Sequence, residues 1–485
     1  MDQNKLNRQR QQLLKGPKHL HVLGPATLGN GILQWTATEI HQEGDSSHDY
    51  FSSRQWAKFI PASGMATRLF SALLHFLDAA EKPGFDFQTY LDHPNHKAFH
   101  HFYTHWTLFP FCPSSIEQQK SASTDDFVNQ LKALMFTPHT GMMNQPKALL
   151  PLFKDKNHQL ISLFELHIME ALALFESQQT VALHFTVDQD HLKQFQVKEK
   201  ALRDHLTQNV QKRLKIAYSF QDPATDTIAL TPEGEVFYDR QNTLLRRKAG
   251  HGALLENLHS IEEDIFIVQN IDNLPIAAAD QSTETHRLMR LFAFLHQKIT
   301  HILSQLKADA VDYSTEEIAS FLEKYFFKAP NKHLSSTAMR DEWIHFLDRP
   351  LRVCGMIKNQ GKPGGGPFWV RTAQGQTLQI VEQSQLQKND KAYAEALAKA
   401  THFNPVHMVC ARKDYAGNPW NYHAFSDPEM FMVVDKLHEG QPLKALELPG
   451  LWNGGMAHWN TVFVEISQSA FNSIKSINDC LPSQD

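Results

Sequence analysis

Cysteine is scarce in this chain. Four residues, Cys112, Cys354, Cys410 and Cys480, are spread over 485 positions. They form no CxxC pair, which argues against a zinc ribbon, a thioredoxin-type redox site and a disulfide scaffold. Thiols of a cytoplasmic protein are the expectation. No apolar run reaches the roughly eighteen residues of a membrane helix. The first residues, MDQNKLNRQRQQLLKG, are polar and lack the apolar core of a secretory signal. A basic excess is missing too. The formal net charge is −5 and no block of like charge stands out, so nucleic acid is set aside as a main partner. Small anionic ligands stay open, because a few cations and backbone N–H groups suffice for them. There is no Walker A ending, no GxGxxG fingerprint, no GxSxG elbow and no HExxH. Nicotinamide chemistry and a nucleophilic triad are therefore not favoured.

What is present is enough apolar residue, 42 % against 20 % charged, to form a sizeable core. The strand candidate WAKFI at 56–60 runs into PASGMATRLF and then the helical SALLHFLDAA, the start of a βα unit. Further strand candidates are VALHFTV (181–187), LKIAYSF (214–220) and IFIVQNIDN (265–273), with helical stretches between them. This order predicts an α/β fold with a mixed, mostly parallel central sheet. Residues 282–348 read as almost wholly helical. Strands return with LRVCGMI (351–357), PFWVRT (367–372), LQIVEQS (378–384), MFMVVDKL (430–437) and TVFVEIS (461–467). The expected parts are a helical and irregular cap (1–53), an α/β core (54–281), a helical insertion (282–348), and the rest of the core with a C-terminal segment (349–485).

Ala62-Ser63-Gly64-Met65-Ala66-Thr67-Arg68 follows a strand and opens a helix. Gly64 would allow a sharp turn, backbone N–H groups could face an anion, and Arg68 offers a fork of donors. The same pattern also fits an ordinary βα turn with Arg68 on the surface. Lys147 stands between Pro146 and Pro151, either a positioned phosphate clamp or a solvated lysine in a stiff loop. Arg246-Arg247-Lys248 with Gly250-His251-Gly252 suits an anion or a base on bare backbone, or a polar hairpin. Asp272 ends a buried strand, where a carboxylate can hold Mg²⁺ or close an Asx-turn. Lys358 with the run Gly361–Pro367 is a ligand-covering loop or a hairpin connection. Trp452 and Trp459 line a site or pack against structure. The histidines His93, His96, His100, His101 and His105 lack the cysteines or HExxH glutamate of a zinc site and read as a surface helix.

PASGMATRLF, QPKALLPL, GHGALLENL, FIVQNIDN, RVCGMIKNQGKPGGGPF, THFNPV and ELPGLWNGGMAHWNTVFVEI cover the chain almost end to end. On them the sequence resembles the bacterial proteins of domain-of-unknown-function family 4301, whose name carries no function. More remotely, the order of motifs is similar to that of the UDP-sugar pyrophosphorylases, of nucleotide-diphospho-sugar transferase fold with a Rossmann-like sheet. Their first loop, Gly-Gly-x-Gly-Thr-Arg-Leu, is matched by Ser63–Leu69, with Ser63 and Ala66 in place of glycines. Their Pro-Lys is matched by Pro146-Lys147, their uridine loop by Gly250-His251-Gly252, and their metal-binding Val-Asp-Asn by Ile271-Asp272-Asn273. Ile380-Val381-Glu382 and Phe403-Asn404 resemble their sugar contacts. Phe471–Lys475 resembles their late Phe-x-Pro-x-Lys, with Ser473 for the proline.

The resemblance implies a nucleotidyltransferase that joins a sugar 1-phosphate to a nucleoside triphosphate. Arg68, Lys147 and Lys475 would be catalytic, and Asp272 would hold Mg²⁺. Ala62, Ser63, Gly64, Met65, Thr67, Gly250, His251 and Gly252 would hold the nucleotide, and Glu382 and Asn404 the sugar. A nucleotide-sugar-dependent glycosyltransferase and a non-catalytic nucleotide or sugar-phosphate sensor are the alternatives.

Overall fold

The computed structural model describes residues 2–36, 39, 48–112, 123–138, 141–155, 157–274, 278–308, 313–331, 333–359, 365–372, 375–382, 385, 391–468 and 471–481. Its centre is a ten-stranded sheet. The strands are β1 (Thr27–Leu28), β2 (Gly31–Leu33), β3 (Trp56–Pro61), β4 (Val181–Thr186) and β5 (Leu214–Ser219), then β6 (Ile265–Gln269), β7 (Leu351–Lys358), β8 (His402–Phe403), β9 (His407–Ala411) and β10 (Asn460–Glu465). Their spatial order is β1-β2-β10-β7-β9-β6-β3-β4-β5, with β8 on the end of β7. Every pairing along that order is parallel except those of β9, which runs antiparallel between β7 and β6. The mixed, mostly parallel α/β sheet expected from the sequence is the one observed.

The strand sequences explain their place. Residues of β4, β6 and β9 are buried along their whole length, as near-continuous apolar runs covered on both faces should be. Alternation divides each strand between two cores. Trp56 and Ile60 of β3, Ile265 and Ile267 of β6, and Val409 of β9 join one cluster. Ala57, Phe59, Phe266, Val268 and Met408 join the other, as the two-residue side-chain period requires. Helix α1 (Leu163–Leu174), opened by a Ser162–Glu165 capping box, and the long helix α2 (Ala278–Lys307) pack on the first face. Helices Thr315–Phe326 and Ser336–Leu347 complete the helical stretch. No helix among the described residues is long and apolar enough to cross a membrane.

Three expected core strands lie elsewhere. Gly366–Thr372 and Gly375–Val381 form a hairpin that pairs with His21–Pro25 in a separate three-stranded antiparallel sheet. Met432–His438 pairs with Gln441–Glu447 in a four-stranded sheet with Thr227–Leu230 and Arg246–Arg247. Hairpin neighbours pair locally and antiparallel, whereas entry into the parallel sheet needs a crossover that these strands lack. Residues near the start also contribute β1 and β2 to the central sheet, while helix Gln3–Lys15 packs on Thr227–Leu230 and Gln441–Glu447 of the four-stranded sheet. Positions 360–364 of the glycine-rich loop lie outside the described residues.

Candidate active site

The carboxyl ends of β3 and β6 and the amino end of the antiparallel β9 meet on one edge of the sheet. Ligands bind beyond strand ends in such sheets, because the loops there diverge. A cleft of about 880 Å³ opens at this edge.

One wall is the loop after β3. Ala62 does not face the cleft: it is fully buried and its N–H donates to the Thr186 carbonyl at 2.8 Å, extending the β3–β4 pairing. Ser63, Gly64, Met65 and Arg68 do line it. Thr67 is exposed outside it. Helix Ser71–Ala80 is the expected SALLHFLDAA, so the loop residues 62–68 precede it and are not part of its first turn. The loop is instead tied sideways, by a bridge between Met65 and Pro146 and by the Lys147 N–H donating to the Gly64 carbonyl at 3.0 Å. Gly64 is not in the left-handed region, and a side chain there would meet nothing. Its contribution is bare backbone facing open space, not a turn only glycine can make. Arg68 makes no ion pair among the described residues.

That sideways tie delivers Lys147. Its ammonium lies 2.9 Å from Asp272 Oδ2 and also donates to the Ile474 carbonyl. Asp272 follows β6, and Asn273–Leu274 pairs antiparallel with Asn472–Ser473. The chain's last segment is thereby drawn back to the cleft, and Lys475 joins its lining. Asn273 is buried and its side-chain amide donates to the Pro405 carbonyl.

The opposite wall carries Gly250, His251, Glu382, Asn404 and Trp452. Gly250 has φ +72°, which glycine adopts at no steric cost. Gly252 is turned away from the cleft. A Cβ there would stand 2.3 Å from the Pro449 carbonyl oxygen, so its bareness serves packing and not a ligand. Arg246, Arg247 and Lys248 are also outside the cleft. Arg246 bonds the Pro223 carbonyl, and Lys248 pairs with Asp188.

His251 stacks on Trp452 with ring centroids 4.0 Å apart and 15° between planes. Its Nδ1 accepts from the Leu451 N–H at 3.0 Å. Its Nε2 lies 3.7 Å from Glu382 Oε1, which also accepts from Trp452 Nε1 at 3.2 Å. Burial lowers the imidazole to about 4 and raises the Glu382 carboxyl above its ordinary range. The acceptor role of Nδ1 agrees with a neutral ring. His251 should therefore show no titration between about pH 5 and 8. An NMR titration of the ring with a midpoint near its ordinary value would contradict this.

Asn404 is buried. Its Oδ1 accepts from the Val406 N–H at 3.1 Å and its Nδ2 has no hydrogen-bond partner among the described residues. Val406 has φ +60°, a rare conformation for a β-branched residue and one that clusters at binding sites. Trp459 lies in a different hollow. The histidines at 93–105 take local roles: His96 stacks on Tyr90 at 3.7 Å, and His105 bonds the His101 carbonyl.

Beneath the cleft floor lies a network the sequence reading missed. Lys58 is fully buried in β3, with its ammonium 2.5 Å from Glu170 Oε2 and 3.1 Å from His167 Nδ1. His167 Nε2 donates to the Ile271 carbonyl at 3.1 Å, one residue before Asp272. Burial and the nearby ammonium keep His167 neutral, while the Lys58 ammonium holds Glu170 down at about 2 against the cost of burial. One charge inside WAKFI was the only signal.

A second polar cluster sits outside the cleft. Glu256, His259 and His423 place their ligand atoms within 4.8 Å of one another and could hold a metal ion.

The family model described as Domain of unknown function (DUF4301) matches residues 1–485. The chain belongs to this family. No curated protein matches it. Among solved structures it is similar to the UDP-N-acetylglucosamine pyrophosphorylase of Trypanosoma brucei, with 11 % identity, 98 % of this chain and 74 % of that chain covered, and a TM-score of 0.49. It is also similar to the UDP-glucose pyrophosphorylase of Leishmania major, with 12 % identity, the same coverages and a TM-score of 0.46. Scores and identities this low leave the functional reading to the site.

Proposed function

We propose that the chain is a Mg²⁺-dependent nucleotidyltransferase that joins a sugar 1-phosphate to a nucleoside triphosphate and releases pyrophosphate. The observation that carries the reading is the convergence of Arg68, Lys147, Lys475 and Asp272 in one cleft. Three cations there outnumber the carboxylates Asp272 and Glu382, and burial favours the neutral form of Glu382. Such a site suits a phosphate-rich ligand. A sugar phosphate is already anionic, so attack on the α-phosphorus requires no general base.

The donor set fits a hard cation. One partly exposed strand-end carboxylate with a lysine beside it matches Mg²⁺, which takes most of its ligands from phosphate and water. Asp272 would hold it, and when bound it would offset charge on the α-phosphate. Arg68, on the loop with bare backbone at Gly64, holds the departing pyrophosphate. Lys147 and Lys475 hold the reacting phosphates in line. Glu382 and Asn404, on the opposite wall with Trp452, hold sugar hydroxyls. Their work is alignment and charge compensation.

The glycosyltransferase alternative loses ground at Asn273. A second metal-binding side chain would be needed beside Asp272, and the Asn273 amide is buried on Pro405. The test crosses UTP, ATP, GTP, CTP and dTTP with several hexose 1-phosphates in Mg²⁺ and reads the nucleotide sugar by mass. At least one pair should give product. Arg68→Ala, at an exposed position, should lower that turnover with little change in thermal stability. Tight binding of one ligand with no product from any pair would replace the enzyme with the sensor.

A further inference from the structure

A second cleft of about 890 Å³ lies at the opposite edge of the central sheet, where β7 and β10 begin. Its volume equals that of the first cleft within a few per cent, and nothing in the proposed reaction uses it. The helical stretch forms one side, the three-stranded sheet another, and Ala457–Thr461 the floor.

Its chemistry is specific. Arg349 follows helix Ser336–Leu347 and is anchored beside the floor, because the adjacent Pro350 carbonyl accepts from the Asn460 N–H at 2.8 Å. Its Nε donates to the His345 carbonyl at 3.0 Å and its guanidinium stands 5.9 Å from the Phe346 ring. It makes no ion pair among the described residues, although burial disfavours its charge. Lys399, on the same lining, is exposed and also makes no ion pair among them. Lys328 and Glu342 cancel each other at 2.7 Å, which leaves Glu323 as the opposing carboxylate.

Aromatic rings provide the rest. Phe327 ends helix Thr315–Phe326 with φ +52°, a strained way for a bulky residue to close a helix that glycine would close freely. Its ring meets Trp369 edge-on, with centroids 6.4 Å apart. Both line the cleft. Two elements also run from one cleft to the other. The segment 449–461 carries Trp452 in the first and Trp459 in the second. The hairpin 366–381 carries Trp369 in the second and leads to Gly365 and Glu382 in the first.

We propose that this second cleft binds a small oxyanion-bearing molecule with a flat ring, the anion on Arg349 and the ring against Trp369 and Phe327. Lys399 adds attraction for the anion. An anion beside a half-buried guanidinium gains a charge-assisted bond, and a flat ring covers aromatic surface otherwise left to water. The oxyanion can be a phosphate ester or a carboxylate.

The test is calorimetry on the full chain carrying Arg68→Ala and Lys147→Ala, which silences phosphate binding in the first cleft. The probes are adenosine monophosphate, benzoate and inorganic phosphate. One saturable site is expected for adenosine monophosphate or benzoate, and which of the two binds tells phosphate ester from carboxylate. Inorganic phosphate should bind more weakly than the tighter of them. Arg349→Gln should weaken binding by about tenfold. Lys399→Gln, an exposed change that cannot disturb the fold, and Trp369→Leu should each weaken it several-fold. No saturable binding of either ring-bearing probe overturns the proposal. So does binding that is unchanged by Arg349→Gln or, should that variant not fold, by Lys399→Gln.

Discussion

Asp272→Asn should reduce nucleotidyl transfer by about 100- to 1,000-fold, the loss expected when one preorganised charge contact to the transition state is removed. The amide keeps the size of the carboxylate and can still accept from Lys147, which now stands 2.9 Å from Oδ2. What it cannot do is compete with phosphate oxygens for a divalent cation. The fold should survive. The ion pair is mostly buried, with the lysine side chain 12 % and the carboxylate 24 % accessible, but the amide still accepts from the lysine, so the change should cost about 1–3 kcal/mol of stability. The comparison to make is kcat against denaturation midpoint. Equal turnover in the variant, or a collapse of stability that matches the loss of turnover, would remove Asp272 from the chemistry.

Glu170→Gln should lower stability by about 3–5 kcal/mol, the cost of leaving a buried charge without its partner. Lys58 has 0 % accessible surface and its ammonium bonds Glu170 and His167. The pH dependence follows from the same pair. The Glu170 carboxyl is held at about 2 when folded, below its ordinary 4.5. Its contribution is therefore present above about pH 4.5 and is lost as pH falls toward 2. His167, also lowered, acts in the same direction from higher pH, because the unfolded chain binds a proton there that the folded chain refuses. Wild type should lose stability over this acid range more steeply than Glu170→Gln. Urea unfolding at several pH values would show it, and parallel curves for the two proteins would contradict the buried pair. Lys58→Met together with Glu170→Leu should recover much of the loss, since replacing both partners leaves no charge behind.

Much of the site was legible because strand ends announce themselves. WAKFI running into a glycine-containing loop, and IFIVQ ending at Asp272, are local patterns, and a parallel sheet brings such ends to one edge. Lys147 was legible from its prolines, although the structure holds it through the Met65–Pro146 bridge as well. What stayed hidden depends on contacts far apart in sequence. Nothing local shows that the Ala62 N–H is spent on Thr186, or that the bare face of Gly252 meets Pro449 and not a ligand. Lys58 reads as an ordinary break in an apolar run until Glu170, 112 residues later, is seen beside it. The left-handed backbone of Val406 has no sequence signal, since valine is among the residues least suited to it. The hairpin at 366–381 reads as core strand, because its hydrophobic pattern does not say which sheet it joins.

In the proposed reaction a sugar 1-phosphate oxygen attacks the α-phosphorus of a nucleoside triphosphate in the cleft and pyrophosphate leaves. Pyrophosphate release by the purified chain tests that most directly, measured with Mg²⁺ and a sugar 1-phosphate each present or withheld. Release should occur only when both are supplied with the triphosphate, and Asp272→Asn should slow it by about 100- to 1,000-fold. Release that ignores the sugar phosphate, or that persists with Mg²⁺ removed by chelation, would contradict the account.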